Sequence, residues 1–74
     1  MKTLNLHFIK SQRQLMNISL QEMAENLGFK NASTYLKYEN GTYAFKADQL
    51  PRLALALGCN ITDFFVNKIA KTAI

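Results

Sequence analysis

The stretch SLQEMAENLGFKNASTYLKYENG, residues 19–41, determines the fold that this chain is expected to adopt. Ser19 and Glu22 have the S-x-x-E spacing of a capping box, in which each side chain accepts a hydrogen bond from the other residue's backbone amide. A helix therefore begins after Ser19, and Gly28 stands where a left-handed residue closes a helix without steric cost. Asn31 is a good N-cap for the next helix. The pattern predicts two short helices joined by a tight turn.

The second of these helices is expected to run to about Asn40, with Tyr35 and Tyr38 on its inner face. Because side chains three or four positions apart share a helix face, Ser33 and Lys37 then project to the opposite side. The outward side chains are short, polar or basic, with the exception of one leucine. This hydrophilic side is the first candidate for a functional surface.

Apolar periodicity on both sides of this stretch predicts three further helices. The first runs from about Asn5 to Met16. A fourth is capped by Asp48, which places Pro51 in the first turn, where a missing amide hydrogen is tolerated. A fifth is capped by Asn60 and carries more apolar residues than one buried face requires. Since no segment reads convincingly as a strand, the fold class is all-α.

Composition limits the chain to one small domain. The 74 residues are 49% hydrophobic and 19% charged, which is typical of a globular chain rather than a disordered one. The formal net charge of +4 biases the surface toward an anionic partner. Nucleic acid is the first such partner to consider, ahead of a membrane surface.

Several functional classes lack the residues that they need. One histidine, the single Cys59 and five scattered acidic residues offer no metal-ligand cluster, and no glycine-rich loop is available to bind phosphate. We therefore expect no enzyme, no cofactor, no metal and no small-molecule substrate. A lone cysteine cannot form an internal disulfide, and no apolar run approaches the length of a membrane span, so a cytoplasmic location away from the membrane is expected.

The segments Ser19–Gly28 and Tyr35–Gly41 resemble the Cro/CI-type helix-turn-helix domains of phage repressors and related bacterial transcription regulators. The resemblance covers about Ile9 to Phe65, because Leu53–Gly58 also looks like the family's fourth helix and its glycine. It implies a five-helix, lambda-repressor-like DNA-binding domain that occupies residues 1–74.

The resemblance also implies a structural ion pair between Arg13 and Glu39. Both residues fall on inner faces of predicted helices, where an unpaired charge would be costly. Members of the family typically join their first and third helices with an arginine and a glutamate at these places. A structural role is expected rather than acid-base chemistry, because no nucleophile accompanies the pair.

In helix-turn-helix proteins the second helix of the motif enters the major groove, and its outward side chains read base edges. Candidates for base-edge contacts are Asn31, Ser33, Thr34 and Lys37. The start of the first helix and the loop after the second can bind phosphates, which fixes position without sequence preference. Candidates for phosphate contacts are Ser19, Gln21, Lys30, Asn40, Thr42, Tyr43 and Lys46. The alternative for each residue is an ordinary solvated or helix-terminating role.

Leu36 is unusual on the hydrophilic side of the second helix. It can touch a thymine methyl group or simply pack against neighbouring side chains. Packing is the favoured interpretation, since exposed leucines are ordinary in folded proteins.

The predicted function is a sequence-specific DNA-binding transcriptional regulator, expected to be a repressor that binds a pseudo-palindromic operator as a homodimer. A domain of this size presents few phosphate contacts, so two copies one helical turn apart, about 34 Å, would be needed for strong binding. The surplus apolar residues of the last helix, at about residues 61–74, are the expected dimer interface. They are Val66, Ile69, Ala70, Ala73 and Ile74.

A protein-interaction module, such as an antitoxin or accessory regulator that binds another protein, is the alternative function. The modest net charge and the leucine at position 36 are compatible with it. Salt dependence separates the two hypotheses, because phosphate contacts make affinity fall with salt whereas an apolar protein interface barely responds.

Overall fold

The computed structural model describes residues 4–65, and over this part of the chain it is entirely helical. The four α-helices are α1 (Leu6–Leu15), α2 (Leu20–Leu27), α3 (Ala32–Glu39) and α4 (Leu50–Leu57). Two 3₁₀ helices, Ala47–Gln49 and Ile61–Phe65, precede and follow α4. The predicted all-α class is confirmed. The proposed interface residues Val66, Ile69, Ala70, Ala73 and Ile74 lie outside the described residues.

The ends of α2 and α3 are formed by the expected local hydrogen bonds. Ser19 Oγ accepts from the Glu22 amide at 3.0 Å, and the Ser19 amide donates to Glu22 Oε1 at 2.9 Å, which completes the capping box. Asn31 Oδ1 accepts from the Thr34 amide at 3.0 Å. Gly28 ends α2 with a φ of 80°, in the left-handed region that favours glycine. The predicted motif of two helices and a tight turn is confirmed.

The prediction that Asp48 caps the fourth helix is wrong. The backbone turns into the helix two residues earlier, through the 3₁₀ helix Ala47–Gln49 that runs directly into α4. At its start the Lys46 amide donates to Gln49 Oε1 at 2.8 Å, so a glutamine three residues later satisfies the unpaired amide. Asp48 lies in the first turn instead, where its charge favours the positive end of the helix.

The predicted fifth helix is a 3₁₀ helix, Ile61–Phe65, over the part of it that the structure describes. Asn60 was expected to cap this helix with its side chain. Instead, the Asn60 backbone amide donates to the side-chain oxygen Asp63 Oδ2 at 3.0 Å. The described fold therefore has four α-helices and two 3₁₀ helices, one before and one after α4.

The hydrophobic core receives side chains from every α-helix and from the second 3₁₀ helix. Its buried members are Ile9, Met23, Ala24, Leu27, Tyr35, Leu53, Ala54, Leu57 and Phe64. Helix α2 packs between α3 and α4, and the Asn5 amide donates to the Phe64 carbonyl at 2.7 Å, which ties the start of α1 to the end of the described chain. Only one edge of α3 enters this core, so its other side remains at the surface.

Candidate nucleic-acid interface

Helix α3 has one buried edge and one exposed face. Tyr35 and Glu39 are buried, at 0% and 4% exposure. The exposed residues Ser33, Lys37 and Asn40 are spaced by four and three positions, so they form a continuous stripe along the opposite face. The described chain does not cover this stripe, which leaves a polar helix surface free to meet a partner.

The start of α3 is organised around the side chain of Asn31. Its Oδ1 atom accepts from the Thr34 amide, from Thr34 Oγ1 at 2.9 Å and from Ser33 Oγ at 2.9 Å. An asparagine that reads adenine uses both its oxygen and its nitrogen. Because the oxygen of Asn31 already caps the helix, the amide nitrogen is the group that this residue can offer a ligand.

The end of α3 is linked to the loop that follows it. Asn40 Oδ1 accepts from the Thr42 amide at 2.9 Å and from Thr42 Oγ1 at 2.7 Å. The Tyr43 amide donates to the Lys37 carbonyl at 3.0 Å, and the Lys37 ammonium lies 5.6 Å from the centre of the Tyr43 ring. This distance is within the range of a cation–π contact. The loop therefore brings four of the proposed contact residues to one end of the helix.

A series of aromatic rings supports this loop from the inner edge of α3. Tyr43 meets Tyr38 edge-on, with the ring centres 5.4 Å apart. Tyr38 in turn stacks on Phe29, which follows α2, at 4.7 Å and an angle of 9° between the rings. Phe45 packs 5.4 Å from Tyr38. Aromatic pairs at these distances are favourable, so the turn before α3 and the loop after it are held by the same tyrosine.

The Arg13 and Glu39 side chains meet beneath α3. Arg13 Nε donates to Glu39 Oε2 at 2.8 Å and Arg13 Nη2 donates to Oε1 at 3.1 Å, the two-bond geometry that arginine makes with a carboxylate. Tyr35 Oη also donates to Glu39 Oε2, at 2.8 Å, and Arg13 Nη1 donates to the Ile18 carbonyl at 3.1 Å. The end of α3 is thus anchored to α1 and to the α1–α2 connection.

Two pKa values reflect this buried network. Hydrogen bonding to Glu39 raises the pKa of Arg13, which keeps the guanidinium charged. Burial, followed by the hydrogen bond to Glu39, raises the pKa of Tyr35 far above its ordinary value of 10. The hydroxyl therefore remains a neutral donor to the carboxylate, and the network contributes rigidity rather than proton transfer.

The remaining phosphate candidates are exposed but are not joined to the cluster at the end of α3. Ser19 makes the capping box at the start of α2, and Gln21 Nε2 donates to Glu25 Oε2 at 3.2 Å. Lys30 lies in the turn between α2 and α3, and Lys46 lies before the first 3₁₀ helix. Within residues 4–65, no hydrogen bond connects these four side chains to α3.

Sequence reasoning missed two features of this surface. The Tyr35–Glu39 hydrogen bond had a signal in the spacing of four positions on one helix face. No sequence pattern predicts the contact between Lys37 and Tyr43, because this contact depends on the path of the loop.

The part of the chain that the structure describes was also searched for membrane-spanning helices and for metal sites. None of its helices could cross a membrane, and no cluster of three or more potential metal ligands occurs there.

A small helical core that holds one helix by its inner edge and exposes the other face is the architecture of a helix-turn-helix DNA-binding protein. A family model described as helix-turn-helix matches residues 9–64, three quarters of the chain. The chain therefore belongs to the Cro/CI-type helix-turn-helix family, whose domains bind DNA in transcription regulation. Neither a comparison with curated proteins nor one with solved structures gave a match.

Proposed function

We propose that this chain is a sequence-specific transcriptional repressor that acts in the cytoplasm and places α3 in the major groove of an operator. The observation that carries the proposal is the exposed outer face of α3, whose opposite edge is fixed by Tyr35 and Glu39. A helix held in this way keeps its orientation when it enters a groove about 12 Å wide. Its outward side chains then meet base edges in a reproducible geometry.

Base contacts are assigned to the outward side chains of α3. Ser33 can donate to or accept from several base edges, and the Lys37 ammonium can donate to guanine O6 and N7. Asn31 and Thr34 are further candidates, which would share their polar groups between a base and the helix cap. This division leaves the first turn of α3 and Lys37 as the source of sequence preference.

Phosphate contacts are assigned to the regions on either side of α3. They would supply affinity that does not depend on sequence and that decreases as salt rises. The proposed residues are Ser19, Gln21, Lys30, Asn40, Thr42, Tyr43 and Lys46. The hydrogen bonds between Asn40 and Thr42 and the ring contact of Tyr43 support a fixed loop that can present donors to a phosphate.

A homodimer on a pseudo-palindromic operator would place two α3 helices about 34 Å apart, in successive turns of the major groove. The proposed interface is the apolar set beyond Phe65, namely Val66, Ile69, Ala70, Ala73 and Ile74. What supports this assignment is their spacing in the sequence, since apolar residues three and four positions apart form a single stripe on a helix.

Selection of bound fragments from a random pool of duplex DNA by the full chain tests the proposal. We expect a pseudo-palindromic motif, in which Ser33→Ala relaxes the preference at one position of each half-site. Lys10→Ala, at an exposed position on α1, should leave the motif unchanged.

Sedimentation of the complex should give two chains per duplex. A pool without any enriched motif would contradict sequence-specific binding, and one chain per duplex would contradict the homodimer.

A protein-interaction module is the second candidate function, and exposed apolar side chains on α4 favour it. Leu55 is 84% exposed and borders an open groove together with Pro51 and Ile61. Exposed apolar surface of this kind is typical of sites that bind protein. A partner whose affinity is insensitive to salt, and lost in Leu55→Lys but retained in Lys37→Ala, would support this function.

A further inference from the structure

Leu36 is an apolar side chain on the otherwise hydrophilic face of α3. It is 40% exposed and lies three residues after Ser33 and four before Asn40, so the three side chains share one stripe. Within residues 4–65 it is absent from both the buried core and the partly buried side chains that pack against it. Packing against neighbouring side chains is the other interpretation of this leucine, and the buried core does not include it.

The attachment of α3 does not require Leu36. Tyr35 is fully buried in the core, and Glu39 binds Arg13 and Tyr35 through three hydrogen bonds. Tyr38 adds the stacking contact with Phe29. The inner edge of the helix is therefore fixed by residues other than Leu36.

The major groove contains one apolar feature among its base edges, the C5-methyl group of thymine. The other features are hydrogen-bond donors and acceptors, which a leucine side chain cannot satisfy. A cytosine in the same place has only a hydrogen at C5, so the leucine would lose this apolar contact.

We propose that Leu36 is a specificity-determining residue that contacts the methyl group of one thymine in each operator half-site. The inference rests on the proposed function, because it requires α3 to lie in the major groove. It assigns thymine at one position of each half-site, next to the base pairs that Ser33 contacts. Uracil, which pairs identically but lacks the methyl group, and cytosine are both disfavoured there.

The test begins with a duplex enriched by the full chain from a random pool. Each thymine of the motif is replaced in turn by deoxyuridine, which removes only the methyl group, and affinity is measured for each duplex. We expect one thymine in each half-site where replacement weakens binding about fourfold, the effect of no longer burying one methyl group. Leu36→Ala should bind the thymine and uracil duplexes equally well.

Two further variants separate this role from a general effect on folding or affinity. Leu36→Met retains an apolar, flexible side chain and should keep the discrimination against uracil. Leu15→Ala changes a leucine that is 75% exposed on α1, and it should discriminate as strongly as the original chain. The helical circular dichroism spectrum of each variant shows that it is folded.

Two results would overturn the inference and leave the proposed function intact. One is that uracil is tolerated at every thymine position by the original chain. The other is that Leu36→Ala discriminates against uracil as strongly as the original chain does. Failure to enrich any duplex would overturn the proposed function, and the role of Leu36 with it.

Discussion

Glu39 contributes both to the stability of the fold and to the orientation of α3. Its side chain is 2% exposed, and its carboxylate accepts two hydrogen bonds from Arg13 and one from Tyr35. A buried ion pair adds little compared with an apolar substitute, but removing one partner leaves a charge without compensation. The carboxylate also lies in the last turn of α3, so its partners determine how that end of the helix is held.

Arg13→Met is expected to lower the free energy of unfolding by about 3 to 5 kcal/mol, because it leaves the Glu39 carboxylate buried without its cation. Urea denaturation measures this loss. The double variant Arg13→Met with Glu39→Met should be more stable than Arg13→Met alone. Arg52→Met, at an exposed position, should change stability by no more than about 0.5 kcal/mol. A loss below about 1 kcal/mol for Arg13→Met would mean that the pair acts as a surface salt bridge.

The raised pKa of Tyr35 predicts that the free energy of unfolding decreases at high pH. The raised pKa of Tyr35 means that the folded chain holds this proton more tightly than the unfolded chain, whose tyrosines titrate near pH 10. The stabilisation is therefore complete below pH 10 and decreases as pH rises above it, by about 1.4 kcal/mol for each pH unit. Urea midpoints between pH 8 and pH 11 measure the decrease, which Tyr35→Phe should reduce and Tyr38→Phe should not.

A second group contributes to the same pH range. Burial, with a smaller effect of Asp63, raises the pKa of the Cys59 thiol, so its titration also lowers stability as pH rises. The comparison of Tyr35→Phe with Tyr38→Phe is therefore made in a Cys59→Ser background. Equal slopes in the two tyrosine variants would show that Tyr35 is not the group responsible.

At the scale of elements, the lysine and the loop tyrosine at the end of α3 act together. Tyr43→Leu is expected to weaken DNA binding about two- to fivefold, since an exposed cation–π contact of about 0.5 to 1 kcal/mol no longer positions Lys37. Tyr43→Phe keeps the ring and loses only the hydroxyl proposed to contact a phosphate, so it should bind more tightly than Tyr43→Leu. In a Lys37→Met background the two tyrosine variants should bind equally well. A loss for Tyr43→Leu in that background would instead indicate a direct role for the ring, as measured by titration of a selected duplex.

The helix ends show which parts of the fold could be predicted from the sequence. Ser19, Gly28 and Asn31 were assigned correctly because each acts within three or four residues of itself. Asp48 was assigned wrongly because Asp and Gln at neighbouring positions both offer an acceptor, and the choice depends on the 3₁₀ turn into α4.

The candidate site likewise has features that local sequence predicts and features that depend on contacts between distant residues. The outward positions of α3 follow from helix periodicity, which needs only local sequence. The Arg13–Glu39 contact spans 26 positions. Helix periodicity placed both charges on inner faces, and the resemblance to a family indicated that they pair with each other. The position of Tyr43 beside Lys37 depends on how the seven-residue connection 40–46 turns back, and side-chain composition does not determine that path.

At the scale of the whole molecule, the positive charge is unevenly distributed. Residues 4–65 contain six basic and five acidic residues, a net charge of +1, whereas the full chain carries +4. Arg13 is neutralised by Glu39. Of the remaining cations, Lys30 and Lys46 are the two that are proposed to contact phosphates.

This distribution predicts the salt dependence of binding. If Lys30 and Lys46 each contact one phosphate, the slope of log affinity against log salt is about −1.8 for one protomer and about −3.6 for a dimer. Lys46→Ala should make the slope of a dimer shallower by about 1.8. Titrations of a selected duplex at several salt concentrations measure both values. A slope near zero would exclude phosphate contacts and favour the protein-interaction function.

The two-sided construction of α3 has a consequence for how such a protein can change over evolutionary time. Tyr35 and Glu39 hold the helix from within, while Ser33, Leu36 and Lys37 take no part in the core. Mutations at the outer positions can therefore accumulate without the loss of stability that usually accompanies new function. A descendant could acquire a different genomic target through a few substitutions and keep the same scaffold throughout.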